Sequence, residues 1–196
     1  MLRLRQICLI AGQLAPAVKD LKNVLGLETC FHDPAVGAYG LENALLPIGT
    51  NFLEVVAPIE ENTAGGRYLE RRDGNGGYMV ILQCNDVEER RTRMSDLNVR
   101  VANALDYDDF TGIQLHPSDT GGCMLETDTM EGDQSPDGPW HPAGNNWKIA
   151  VRMERTASMV GAELQSPNPD ALAERWGEIL NRPVSGVTDG PPELIL

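Results

Sequence analysis

The chain has 196 residues, a formal net charge of −13, a pI near 4.5 and 41% hydrophobic residues, enough to bury a sizeable core. So acidic a chain repels phosphate backbones and anionic membranes, and no local Lys/Arg cluster offsets this, so neither nucleic acid nor membrane is expected as a partner. No run approaches the roughly 18 apolar residues of a membrane span, and Leu9-Ile10-Ala11 is too short for a signal core, so a cytoplasmic globular protein is expected.

In chain order, residues 4–10 read as an apolar-rich strand. Leu14, Val18, Leu21 and Leu25 follow at helical spacing, with Gly26 as the stop. Three runs broken by Gly, Pro and Asn, at 29–33, 39–46 and 50–57, then read as an antiparallel meander. Residues 64–77 are Gly-rich and read as a linker or a cleft-covering loop.

The same order returns from residue 78. A strand at 78–84 leads to a helix in which Asp86 and Glu89 can cap reciprocally, with Val87, Met94 and Leu97 as its apolar positions. Strands are expected at 100–105, 112–115 and 122–128. A Pro/Gly-rich stretch at 131–146 follows. A third copy opens with a strand at 159–165, then Asn168 as cap, Pro169 at the first helical position, and Leu172, Trp176, Ile179 and Leu180 on one face. One more strand at 193–196 leaves this copy without the residues to close.

Each complete copy therefore spells βαβββ. The expected fold is α+β, with one module at 1–58, a second at 76–130, a linker at 131–147 and an incomplete third module at 148–196. Its unfinished sheet edge leads us to expect a homodimer.

Two runs carry a resemblance to a known family. Gly40-Leu41-Glu42-Asn43-Ala44-Leu45-Leu46-Pro47-Ile48-Gly49-Thr50-Asn51-Phe52-Leu53-Glu54-Val55-Val56-Ala57-Pro58 resembles the third and fourth strands of glyoxalase-like domains. Leu115-His116-Pro117-Ser118-Asp119-Thr120-Gly121-Gly122-Cys123-Met124-Leu125-Glu126 resembles the turn into the fourth strand of the partner module. The chain thus resembles the vicinal oxygen chelate superfamily, which includes glyoxalases, dioxygenases and bleomycin-resistance proteins. The resemblance implies paired modules forming an incomplete barrel, with a divalent metal held from the first and fourth strands of each.

Carried over residue by residue, those positions are Gln6, Glu54, Met79 and Glu126. The resemblance implies Gln6, Glu54 and Glu126 as metal ligands. Their oxygens suit a hard or borderline ion, with Mn, Ni, Zn and Fe not distinguished, whereas the Met79 thioether is a poor ligand for such ions. The cofactor is thus a divalent metal or none.

Strand parity puts Cys8 and Ile10 with Gln6, Phe52 and Val56 with Glu54, Ile81 and Gln83 with Met79, and Met124 and Asp128 with Glu126. Such a wall, apolar with a few polar groups, suits a small-molecule ligand or substrate. Glu54 and Glu126 are the candidate catalytic groups; Gln6, Phe52, Met79, Gln83, His116 and Met124 are the candidate ligand contacts. Either glutamate is alternatively a satisfied structural carboxylate, and the methionines alternatively core packing. His116, before Pro in a turn, is a base, a substitute ligand or a turn residue.

Trp140 and Trp147 are either a lid or packing anchors, and the segment Glu88-Glu89-Arg90-Arg91-Thr92-Arg93 reads as a solvated face. Two functions follow: an isomerase or lyase acting on a small carbonyl or oxyanion substrate in a cleft between modules, or a non-catalytic sequestering protein of the bleomycin-resistance type. The single, mostly strand-borne cysteines Cys8, Cys30, Cys84 and Cys123 are expected to be buried structural thiols.

Overall fold

The computed structural model describes residues 1–186 and 191–196, and the chain divides into two compact units. Unit 1 comprises Met1–Leu4, Val80–Thr129 and Ala162–Leu196; unit 2 comprises Arg5–Met79 and Met130–Gly161.

Unit 2 holds most of β1 (Leu2–Ile10), then α1 (Leu14–Leu25), β2 (Leu41–Ile48), β3 (Asn51–Pro58) and α2 (Ala64–Arg72). Its strands lie in the order β2-β3-β1. β3 runs antiparallel to β2 and parallel to β1, whose register sets Gln6 against Phe52, Cys8 against Glu54 and Ile10 against Val56. The alternate residues Ile7 and Leu9 of β1 and Leu53, Val55 and Ala57 of β3 pack with Leu14, Val18 and Leu21 of α1. One face of this sheet is therefore the α1 core, and the other carries Gln6, Cys8, Phe52 and Glu54. Gly26, at φ 71°, closes α1 in the left-handed conformation that glycine adopts without penalty.

Unit 1 holds most of β4 (Gly76–Cys84), then α3 (Val87–Asp96), β5 (Val101–Asp106), β6 (Phe110–Leu115), β7 (Met124–Met130), α4 (Pro169–Leu180) and a short hairpin of β8 (Val184–Ser185) with β9 (Glu193–Leu194). Its strand order is β4-β7-β6-β5. Val80, Leu82, Ile113, Leu115 and Leu125 form one core with Val87 and Met94 of α3 and Trp176, Ile179 and Leu180 of α4. In each unit the first strand lies beside the last, and the last beside the one before it. The fold is α+β with an open sheet, each unit built on the repeated order.

Several elements differ from the sequence expectation. The strand expected at 29–33 is reduced to a bridge between Phe31 and Leu45, because the next backbone donor, Asp33 N–H, goes to the Asn43 side chain and the ladder ends. Residues 34–39 turn as a 3-10 helix opened by Pro34.

The linker expected at 64–77 contains α2, whose first turn Thr63 caps by accepting from Gly66 N–H at 2.9 Å. Gly65 and Gly66 hide this helix from propensity; a Cβ on Gly65 would stand 2.9 Å from Ile10 Cδ1, and the end of that side chain would have to shift. No strand forms over residues 159–165. The helix after it does form, with Asn168 capping it through Ala171 N–H.

The Arg-rich helix α3 is not simply a solvated face. Arg90 is buried and donates to the Leu180 carbonyl at 3.0 Å, and Arg93 Nε donates to the Glu178 carbonyl at 2.8 Å. Arg90 thus satisfies a carbonyl in the last turn of α4, and Arg93 adds a second donor to the Glu178 carbonyl, which also accepts from Asn181 N–H.

Candidate functional site

In unit 2 the β1/β3 face centres on Glu54, buried together with Gln6 and Asn43. Asn43 Nδ2 donates to Glu54 Oε1 at 2.6 Å, and Gln6 Nε2 donates to Glu54 Oε2 at 2.8 Å. Each amide is held from behind. Asp33 N–H donates to Asn43 Oδ1 at 2.7 Å, and the Trp140 indole N–H donates to Gln6 Oε1 at 2.8 Å. His32 Nδ1 donates to the Asn43 carbonyl at 2.5 Å.

Burial raises the proton affinity of Glu54 above the usual carboxylate range. Hydrogen bonds from Asn43, Cys8 and Gln6 oppose it, and the charge of Asp33 adds to it. Both glutamate oxygens already accept an amide donor, and an ionised carboxylate has acceptor capacity for about two more.

The strap at 131–147 closes this face. Arg5, fully buried, donates to the carbonyls of Thr50, Pro136 and Gly138. Its guanidinium lies 5.2, 5.3 and 5.8 Å from the ring centres of Phe52, Trp140 and Trp147, the range of cation–π attraction. Phe52 and Trp147 meet edge to face at 5.1 Å. Trp140 is buried to 1% exposure. Met79, also in unit 2, is buried at the residue where β4 leaves that unit.

In unit 1, β7 carries Met124, Glu126 and Asp128 at alternate positions, while Leu125 between them joins the core. Glu126 and Asp128 are both buried. Desolvation first, then the Glu126 charge and its side-chain interaction, hold the Asp128 carboxyl well above its usual range. Gln83 is fully buried, and its oxygen accepts from Arg3 Nη2 at 2.6 Å. His116 caps the 3-10 turn Pro117–Asp119, its Nδ1 accepting from Ser118 N–H at 3.2 Å, a turn-residue arrangement. Burial pushes the Cys30 and Cys123 thiols up to about 11, away from thiolate chemistry.

The structure thus brings together Gln6, Glu54 and Phe52 in unit 2, and places Gln83, His116, Met124 and Glu126 in unit 1. Sequence reading gave no role to Asn43 or Arg5. The available signal was a polar or charged residue inside an otherwise apolar strand run, where burial forces a partner.

For a divalent metal the donor set in unit 2 is a poor match. The Gln6 oxygen already accepts from the Trp140 indole N–H, and one carboxylate with one amide falls short of the oxygen ligands such ions take. Among the described residues no three His, Cys, Asp or Glu side chains converge as ligands. No helix of the described residues is long and apolar enough to cross a membrane.

A family model described as a glyoxalase-like domain matches residues 7–180. No curated protein sequence matches the chain. Among solved structures, a hypothetical protein from Bacillus halodurans C-125 superposes with a TM-score of 0.60 at 18% identity, covering 68% of this chain and 98% of that one. Methylmalonyl-CoA epimerase from Mycobacterium tuberculosis gives 0.58 at 21% identity, covering 66% and 88%. A Streptomyces coelicolor methylmalonyl-CoA epimerase variant in complex with 2-nitronate-propionyl-CoA gives 0.59 at 24% identity, covering 68% and 98%. These likenesses establish the fold.

Proposed function

The chain belongs to the glyoxalase-like domain family, and on that premise we propose that it is an isomerase-type enzyme in which Glu54 moves a proton next to the carbonyl of a small substrate. The observation that carries this reading is the buried Glu54 carboxyl, its proton affinity raised by burial yet gripped by two amide donors. A base for carbon acids needs that combination: it must accept a proton near neutral pH and must be held in one orientation. Fold neighbours that are methylmalonyl-CoA epimerases are in keeping with it.

In the proposed step Glu54, ionised, takes a proton from the carbon adjacent to the carbonyl and returns it to the same or a neighbouring carbon. Electrons left on the substrate move onto the carbonyl oxygen as an enolate, and collapse back when the proton returns. Gln6 and Asn43 keep the carboxylate aligned, while Trp140, Phe52 and Trp147 keep water from it. No step is routed through a metal.

A second reading, a non-catalytic small-molecule binding protein of the bleomycin-resistance type, draws on the same geometry, since a carboxylate with both oxygens bonded is also what a purely structural glutamate looks like. The experiment that separates them is deuterium incorporation from heavy water into a panel of small 2-oxo acids, 2-hydroxy ketones and acyl thioesters. The enzyme reading expects incorporation by the wild type and its loss by about 10²-fold or more in Glu54→Gln. Ligand binding without incorporation by the wild type would support the binding protein and overturn the enzyme. Cytoplasmic residence and a homodimer belong to the same proposal; light scattering of the purified chain tests the dimer.

A further inference from the structure

Gln6 and Asn43 each end in a primary amide, which can turn either its NH2 or its oxygen toward a neighbour. Around Glu54 that choice is removed by groups that can only donate. A backbone N–H, that of Asp33, occupies the Asn43 oxygen, and the Trp140 indole N–H occupies the Gln6 oxygen. With their oxygens committed, both amides must face Glu54 through nitrogen.

The two locks differ in origin. Asp33 is placed by the turn into the 3-10 helix at Pro34–Tyr39, close in sequence to Asn43. Trp140 comes from the strap, 134 residues from Gln6, and is itself held by Arg5 beneath its ring and by the Arg5 bonds to the Pro136 and Gly138 carbonyls.

We infer that Trp140 is a positioning residue: by occupying the Gln6 oxygen it fixes the flip of that amide, and through it the donor that aligns the Glu54 carboxylate. This rests on the proton-transfer reading above and deepens it. The strap is then more than packing, since the indole N–H delivers orientation to Glu54 through the Gln6 amide. The titratable side chains acting on Glu54 are those of Asp33, through its charge, and Cys8, through a hydrogen bond.

The test is Trp140→Phe in the full chain, which keeps an aromatic ring and removes the N–H. Side-chain amides labelled with ¹⁵N are followed by NMR without substrate. The Gln6 Nε2 signals are expected to shift and to lose protection from hydrogen exchange by about tenfold, the scale of one hydrogen bond to a charged group, while those of Asn43 stay in place. In the deuterium assay kcat is expected to fall by about tenfold with KM unchanged. In a Gln6→Leu background, Trp140→Phe should then cost nothing further.

Unmoved Gln6 signals in folded Trp140→Phe, or losses that multiply in the double variant, would overturn the inference. Should Trp140→Phe not fold, the wild type still decides. Gln6 Nε2 protons protected to the same degree as the Trp140 indole proton support the lock, and freely exchanging ones overturn it. A shifted Gln6 amide in a protein that incorporates no deuterium supports the lock and overturns the enzyme reading, so the two failures are distinct.

Discussion

Arg5 carries a full charge into the interior of unit 2, spread over three carbonyls and three aromatic rings. Truncating it strands those carbonyls and empties the space beneath two tryptophans. Arg5→Ala is therefore expected to lower stability by about 3 kcal/mol, measured by urea unfolding.

Asp128 gives a pH-dependent counterpart. Its folded-state proton affinity is raised above that of the unfolded chain, so the folded protein holds a proton that the unfolded one releases. Its contribution is complete below the unfolded carboxylate range and is lost as pH rises through the elevated folded value. Asp128→Asn removes the titration with almost no change of shape. Urea unfolding at acid and alkaline pH should show the variant losing less stability as pH rises, and an unchanged pH slope would contradict this origin. Of these residues, sequence parity already set Glu54, Gln6 and Asp128 on the inward alternation of their strands. Asn43 and Trp140 escaped, because a role conferred by hydrogen bonds across 11 and 134 residues leaves no local pattern.

Elements show the same division. The caps Asp86 and Asn168 and the helices behind them are local chemistry, and they form where their side chains predict. The strand expected at 29–33 fails because its partner donor is taken by a side chain, and α2 forms in spite of its two glycines, its first turn capped by Thr63. The end of α4 depends on Arg90 and Arg93 of α3. Arg90→Met is expected to cost about 1–3 kcal/mol, with faster amide exchange confined first to the last turn of α4. Uniform exchange across α4 would argue against capping as the cause.

At the scale of the whole molecule the net charge of −13 acts against compactness, because like charges are brought together on folding. Raising salt from about 10 mM to about 200 mM shortens the reach of that repulsion, and Tm is expected to rise by about 2–4 °C. A fall in Tm would show instead that attractive pairs such as Arg100–Asp119 dominate.

The sequence by itself determined the α+β class, the repeated order, the helices α1, α3 and α4 with the caps Asp86 and Asn168, and the family, because all of these are written in local periodicity and in short motifs. Only the tertiary structure decided which polar groups hold Glu54, that a strap residue locks one of them, and that the Arg-rich helix caps its neighbour. The physical reason is that a buried polar atom must find its partner in space, and chain separation places no limit on where that partner lies.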